Sequence, residues 1–156
     1  MRRILASLCL LMTIGTATAA EPTSDDKARV VSLVKEAVDA WSRNDIEGAK
    51  RHMSPSVVLL DSTAPYIFQG PTAVADWVKA YAVESKALDI SDSWQTLGEP
   101  TEVDVDGTHA YVVLPAVYGF KQHGEPVRVN ATVTVVLGKS SKDWSFLAWN
   151  WAPNGK

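Results

Sequence analysis

The hydrophobic period of this chain changes once, and that change limits the folds open to it. Up to about Ala87 helical spacing dominates, interrupted by two short strand-like runs, and beyond it the apolar residues recur at every second position. Val30, Leu33, Val34, Ala37, Val38 and Trp41 make the stripe of a first helix, capped by Ser24, with Asp25 and Asp26 at the positive end of its dipole. Asn44-Asp45 breaks it. Ile46 to Met53 reads as a second, short helix stopped by Ser54-Pro55-Ser56. Val57–Asp61 and Tyr66–Phe68 read as short strands. Gly70-Pro71-Thr72 opens a third helix that runs to about Ala87 with Val74, Trp77, Val78 and Tyr81 on its apolar face.

Five strands are predicted after it: Ile90–Leu97, Thr101–Val105, His109–Phe120, Val127–Leu137 and Trp144–Trp151. Asp106-Gly107, His123-Gly124 and the segment from Gly138 to Asp143 supply turns between them. Long strands with short turns imply an antiparallel meander, and helices followed by such a sheet make an α+β domain. In the last strand strict alternation puts Trp144, Phe146, Ala148 and Asn150 on one face. Ser145, Leu147, Trp149 and Trp151 fall on the other. A sheet with one solvated face alternates more cleanly than this, so both faces are expected to be covered. Helices cover one. The other is expected to meet a second copy of the chain or its own curl, with Trp149 and Trp151 as interface candidates and a homodimer as the expected state.

The first twenty residues stand apart. Arg2 and Arg3 precede an apolar run from Ile4 to Ile14, and Ala17-Thr18-Ala19 supplies a small-residue cleavage pattern, with Ala20 as a near-equal site. The run is too short to span a bilayer. Residues 1–20 are therefore expected to be a cleaved, Sec-type signal peptide, and residues 21–156 a single exported domain, periplasmic or secreted, with no membrane attachment after cleavage. Removing the leader leaves 136 residues with 13 basic and 18 acidic side chains, and takes away Cys9, the chain's one cysteine. An acidic balance of this kind gives no footing for nucleic acid.

Motifs for most chemistries are missing from the sequence. No phosphate-binding glycine loop and no Gly-x-Ser-x-Gly elbow occurs. His52, His109 and His123 are scattered, and Asp104-Val105-Asp106-Gly107 lacks the later ligands of a calcium loop. No metal site and no cofactor is expected.

Three segments carry a family resemblance: Ala40-Trp41-Ser42-Arg43-Asn44-Asp45-Ile46-Glu47-Gly48; Val57 to Asp61 followed by Phe68-Gln69-Gly70-Pro71-Thr72-Ala73-Val74; and Asp143 to Trp151. In order and spacing the chain resembles the nuclear transport factor 2-like superfamily, in its SnoaL-like and ketosteroid isomerase-like branch. The resemblance covers nearly all of residues 21–156. It implies a cone, a bent antiparallel sheet wrapped around the N-terminal helices with an apolar pocket at the open end. The residues it directs toward that pocket are Trp41, Asp61, Trp77, Tyr81, Phe146 and Asn150, with Tyr118 and Phe120 as further candidates. For any single aromatic among them, ordinary core packing is the commoner reading.

The same resemblance places Asp61 at the general-base position of the isomerase branch. Burial in an apolar pocket raises a carboxyl pKa and tunes it for proton transfer on carbon. The commoner use of such an aspartate is to cap the next loop, here through the Ser62 or Thr63 amides. The branch's oxyanion hole needs a tyrosine and a protonated acid. The tyrosine position is Ala37 here, and the strand Val127–Leu137 holds no Asp, Glu or Tyr. Steroid-type isomerisation is therefore not expected, since loss of one oxyanion donor alone costs about 10²–10³ in rate. Three functions stay open. The first is a pocket that binds a small, largely apolar molecule. The second is a SnoaL-like enzyme using Asp61 for proton transfer, with Asn150 or a tyrosine orienting the substrate. The third is an interaction module docking a partner through Trp149 and Trp151.

Overall fold

The computed structural model describes residues 24–141 and 143–155. The leader with Cys9, and both expected cleavage positions, lie outside the described residues. Among the described residues three helices, α1 (Ser24–Ser42), α2 (Ile46–Lys50) and α3 (Ala73–Ala87), accompany seven strands. The strands are β1 (Met53–Leu60), β2 (Ile67–Gln69), β3 (Ile90–Leu97), β4 (Glu102–Val105), β5 (His109–Gln122), β6 (Glu125–Ser140) and β7 (Asp143–Pro153). They form one sheet in the order β2-β1-β7-β6-β5-β3, with β4 also pairing β5. All neighbours are antiparallel except β1 and β7, which run parallel and join the helical half of the chain to its last strand.

The second helix is shorter than its sequence suggests. It ends at Lys50, and Ser54-Pro55-Ser56 lies inside β1 instead of ending a helix. Proline is tolerated there because the β1–β7 register is interrupted between Met53 and Val58, so no regular ladder bond is lost. The β5–β6 hairpin turns at His123 and Gly124, both at positive φ (52° and 82°), as a two-residue turn matching strand twist requires.

The expected α1 stripe is the buried one: Val30, Leu33, Val34, Ala37 and Val38 all belong to the core. Its first turn is tied to the far hairpin. Lys139 Nζ donates to Asp26 Oδ1 at 2.7 Å and Trp144 Nε1 donates to the same oxygen at 3.1 Å. That contact sets where α1 crosses the concave face of the sheet.

On β7 strict alternation fails. Leu137 pairs with Phe146 and Val136 with Ala148, which leaves Leu147 as an extra residue without a partner. A bulge of this kind inverts the faces beyond it. Trp144 and Phe146 before it, and Trp149 and Trp151 after it, therefore all point inward and are buried. Phe146 is wholly inaccessible and is core, not pocket wall. Asn150 turns to the outer face, opposite Thr134 and Leu60. Trp149 and Trp151 are 9% exposed each and offer no outer surface for an interface. The outer face instead carries half-buried Val58, Val113, Val117, Val136 and Leu147 with exposed Leu60 and Tyr111.

Inversion at Leu147 is tested by three truncations. Phe146→Ala and Trp149→Ala are each expected to destabilise the domain by about 3–5 kcal/mol, as buried large-to-small changes do. Leu147→Ala is expected to cost about 1 kcal/mol or less. Urea denaturation measures all three, and a small loss at either Phe146 or Trp149 would restore simple alternation.

Candidate functional site

Helix α1 covers only part of the concave face. Between its C-terminal turn, α3 and the strands β3, β5 and β7 lies a cavity of about 530 Å³. Seven aromatic side chains line it, and most of these rings touch in sequence. Trp41, the last apolar residue of α1, meets Trp77 of α3 edge to face, with centroids 5.0 Å apart. Trp77 stacks on Tyr81 one helical turn later at 5.4 Å. The Tyr81 and Tyr118 hydroxyls are hydrogen-bonded across the cavity. On the strand side Tyr118 stacks on Phe120 at 4.9 Å and meets Trp151 edge-on at 6.2 Å.

Asp61 enters this wall from β1. Val57, Leu59 and Asp61 alternate on one side, and the first two are core, so the strand delivers a carboxylate to the cavity at its last inward position. The loop-capping role of Asp61 is present, and its side chain also reaches the cavity. The Thr63 amide donates to Asp61 Oδ1 at 2.8 Å. Burial pushes its carboxyl above the usual aspartate value of 3.8. Hydrogen bonds from Thr63 and Trp77 oppose that rise, and the charge of Glu84 adds to it.

Glu84 was not foreseen. Thr63 Oγ1 donates to its Oε2 at 2.6 Å, so buried Thr63 links the two carboxylates. Glu84 follows Trp77 and Tyr81 at i+7 and i+3 on α3, and that helical spacing was the signal available for it. Glu84 and Thr63 also border a more open groove of about 760 Å³ beyond α3. Tyr118 has its hydroxyl pushed well above the usual tyrosine value, first by burial, then by the bond to Tyr81, with Asp61's charge contributing. Asp61 and Tyr118 therefore act on the same enclosed space.

Of the residues expected at the pocket, Trp41, Asp61, Trp77, Tyr81, Tyr118 and Phe120 come together around the cavity. Phe146 and Asn150 do not, for the reason given by the β7 bulge. Trp151, expected outside, is a wall residue, and Trp149 borders a small adjoining void of about 40 Å³. Trp94 and Gln95 of β3 complete the rim. Ala37, at the position where the isomerase branch has its tyrosine, is buried in the core. Among the described residues no three His, Cys, Asp or Glu side chains gather as a metal-ligand group. No helix among them is long and apolar enough to cross a membrane.

No family model matches the chain, and no curated protein matches it. Solved structures do. The chain is similar to a protein of unknown function from Pseudomonas putida described as NTF2-like, at 15% identity over 86% of this chain and 90% of that one, with a TM-score of 0.69. A ketosteroid isomerase-like protein from Erwinia carotovora atroseptica matches at 14% identity over 86% and 100%, with a TM-score of 0.67. The fold is the nuclear transport factor 2-like cone. A hexachlorocyclohexane dehydrochlorinase, LinA type 2, shares this cone at 10% identity over 84% and 86%, with a TM-score of 0.70. At such identities the cone alone is common to these proteins.

The raised carboxyl of Asp61 has a consequence for stability. A group whose pKa rises on folding favours the native state below its unfolded value and opposes it as pH climbs through the folded value. Asp61→Asn is therefore expected to raise the melting temperature at pH 7. The gain should fade as pH falls toward 3.8. Thermal denaturation over a pH series measures this, and an equal gain at pH 3 and pH 7 would show that ionisation is not its source.

Proposed function

We propose that this chain is an exported binding domain that takes one small, largely apolar molecule into the mouth of the cone. The observation that carries this reading is the ring-walled cavity of about 530 Å³. That size suits a ligand of a few fused or linked rings, and a mostly apolar wall with a few polar groups is the usual make-up of a small-molecule site. The wall is held from both sides of the cone by ring-to-ring contacts. A cavity kept open by aromatic side chains on separate elements is preorganised, which lowers the entropy lost on binding. The leader-like first twenty residues support export. The half-buried aliphatic outer face supports a homodimer formed there, not through Trp149 or Trp151.

A second reading, proton-transfer catalysis, is favoured by one observation. Asp61 is a carboxylate with a raised pKa at an apolar cavity, and the Tyr81–Tyr118 hydroxyl pair faces the same space. A dehydrochlorinase built on the same cone supports keeping it in view. The tyrosine pair stands on different elements from the isomerase arrangement, so any reaction here would polarise its substrate from another direction. The third reading, docking through Trp149 and Trp151, has lost its exposed residues.

Native mass spectrometry of the exported protein is expected to show two subunits and a co-purified small apolar molecule. Naphthalene- and indole-sized probes are expected to alter tryptophan emission, with Trp77→Ala weakening them by about tenfold or more. Emission unchanged by every probe would sink the binding reading. Catalysis requires that Asp61→Asn keep binding the native ligand and lose its turnover.

A further inference from the structure

The charge on the cavity wall is one-sided. Among the described residues the wall holds two carboxylates, Asp61 and Glu84, and no lysine, arginine or histidine. They are linked through Thr63, whose amide and hydroxyl are donated to one carboxylate each. Seven aromatic side chains share the same wall: Trp41, Trp77, Tyr81, Trp94, Tyr118, Phe120 and Trp151. Arg128 stacks over Trp94 at 5.2 Å from the ring centroid, yet it is not part of the wall.

Each half of this arrangement prefers the same kind of guest. Aromatic faces carry the negative end of the ring quadrupole and attract organic cations, more strongly where water is displaced. Two carboxylates close to one another repel, and a cation placed between them and the rings relieves that repulsion while meeting both. A neutral apolar guest would bury Asp61 further without compensating its charge, and an anion would be repelled by both carboxylates with no positive side chain of the described wall to offset them. We infer that the ligand is an organic ammonium ion with an apolar body, its charged nitrogen held toward Asp61 and Glu84 and its body against the rings. This rests on the pocket being a binding site, as proposed above, and names the class of molecule it takes.

The mechanism of selection is positional. Asp61 sits at the end of β1 and Glu84 late in α3, so the two carboxylates mark one side of the cavity. Trp151 follows Asn150, the partner of Leu60, so its ring borders Asp61, and the two line the same small adjoining void. A guest whose nitrogen reaches the linked carboxylates keeps its apolar body and the ammonium's methyl groups against the adjoining rings, whereas a hydrocarbon gains nothing from the carboxylates.

The test compares two probes of equal shape on the full exported domain. Benzyltrimethylammonium carries the charge, and neopentylbenzene replaces its nitrogen with carbon. Titration followed by tryptophan emission at pH 7 is expected to give at least about tenfold tighter binding of the cation. Asp61→Asn and Glu84→Gln should each erode that preference, weakening the cation while the isostere binds as tightly as before or more tightly. The wild-type comparison does not depend on either variant folding. Equal or tighter binding of neopentylbenzene overturns the ammonium assignment and leaves the apolar pocket standing. Failure of both probes, together with the broader probe set, overturns the pocket itself.

Discussion

Leu147 has no partner on β6, and the faces of β7 exchange around it. Four large aromatics, Trp144, Phe146, Trp149 and Trp151, consequently point to the same side of the sheet, two from each side of the bulge. With regular pleating two of them would face outward. The concave side would then lack both the ring that meets Phe146 at 5.4 Å and the ring that meets Tyr118. Core and cavity therefore depend on the same extra residue. Trp144 also reaches Asp26 at the start of α1, so the strand that carries the bulge helps set where the covering helix lies. Where α1 ends at Ser42 the concave face is left uncovered, and the cavity begins there.

Within that cavity electrostatics and packing pull against each other. Burial disfavours the charged form of Asp61, and Glu84 nearby adds repulsion. Thr63 and Trp77 return some stabilisation through hydrogen bonds, but among the described residues no positive side chain of the wall answers the two acids. Local arrangements that oppose stability are frequent at functional sites, where the missing partner is supplied by a ligand. The contrast with Asp26 is instructive. That carboxylate is also largely covered, and it is met by Lys139 and Trp144. One acid is used to anchor a helix, and the other is left facing a cavity.

Much of the site was legible in the residues. Trp77 and Tyr81 share a helical stripe, and Trp41 ends another, so both helices were expected to turn rings toward the sheet. Asp61 followed Val57 and Leu59 at period two. Glu84 continues the α3 stripe after Tyr81, but helical spacing does not separate a carboxylate facing a cavity from one facing solvent. Phe146 and Asn150 were misplaced, as was the outward face of Trp149 and Trp151, because alternation was carried through a strand that contains a bulge. Nothing in Ser145-Phe146-Leu147-Ala148 marks an extra residue: no glycine or proline stands there. The same limitation made Ser54-Pro55-Ser56 look like a helix stop, when a register break in the β1–β7 ladder accommodates the proline.

By itself the sequence determined the class of fold, the order of its elements and the side of α1 that is buried. Those follow from local periodicity, which each segment carries whatever its neighbours do. Register and facing were decided only by the tertiary structure. Which residue of β7 goes unpaired depends on how β6 and β1 align against it, and the parallel β1–β7 contact joins segments far apart in the chain. The meeting of Asp61 with Glu84 through Thr63, and of Tyr81 with Tyr118, belongs to the same class of fact. Such contacts arise from the closure of the cone, and closure is a property of the assembled sheet, not of any strand within it.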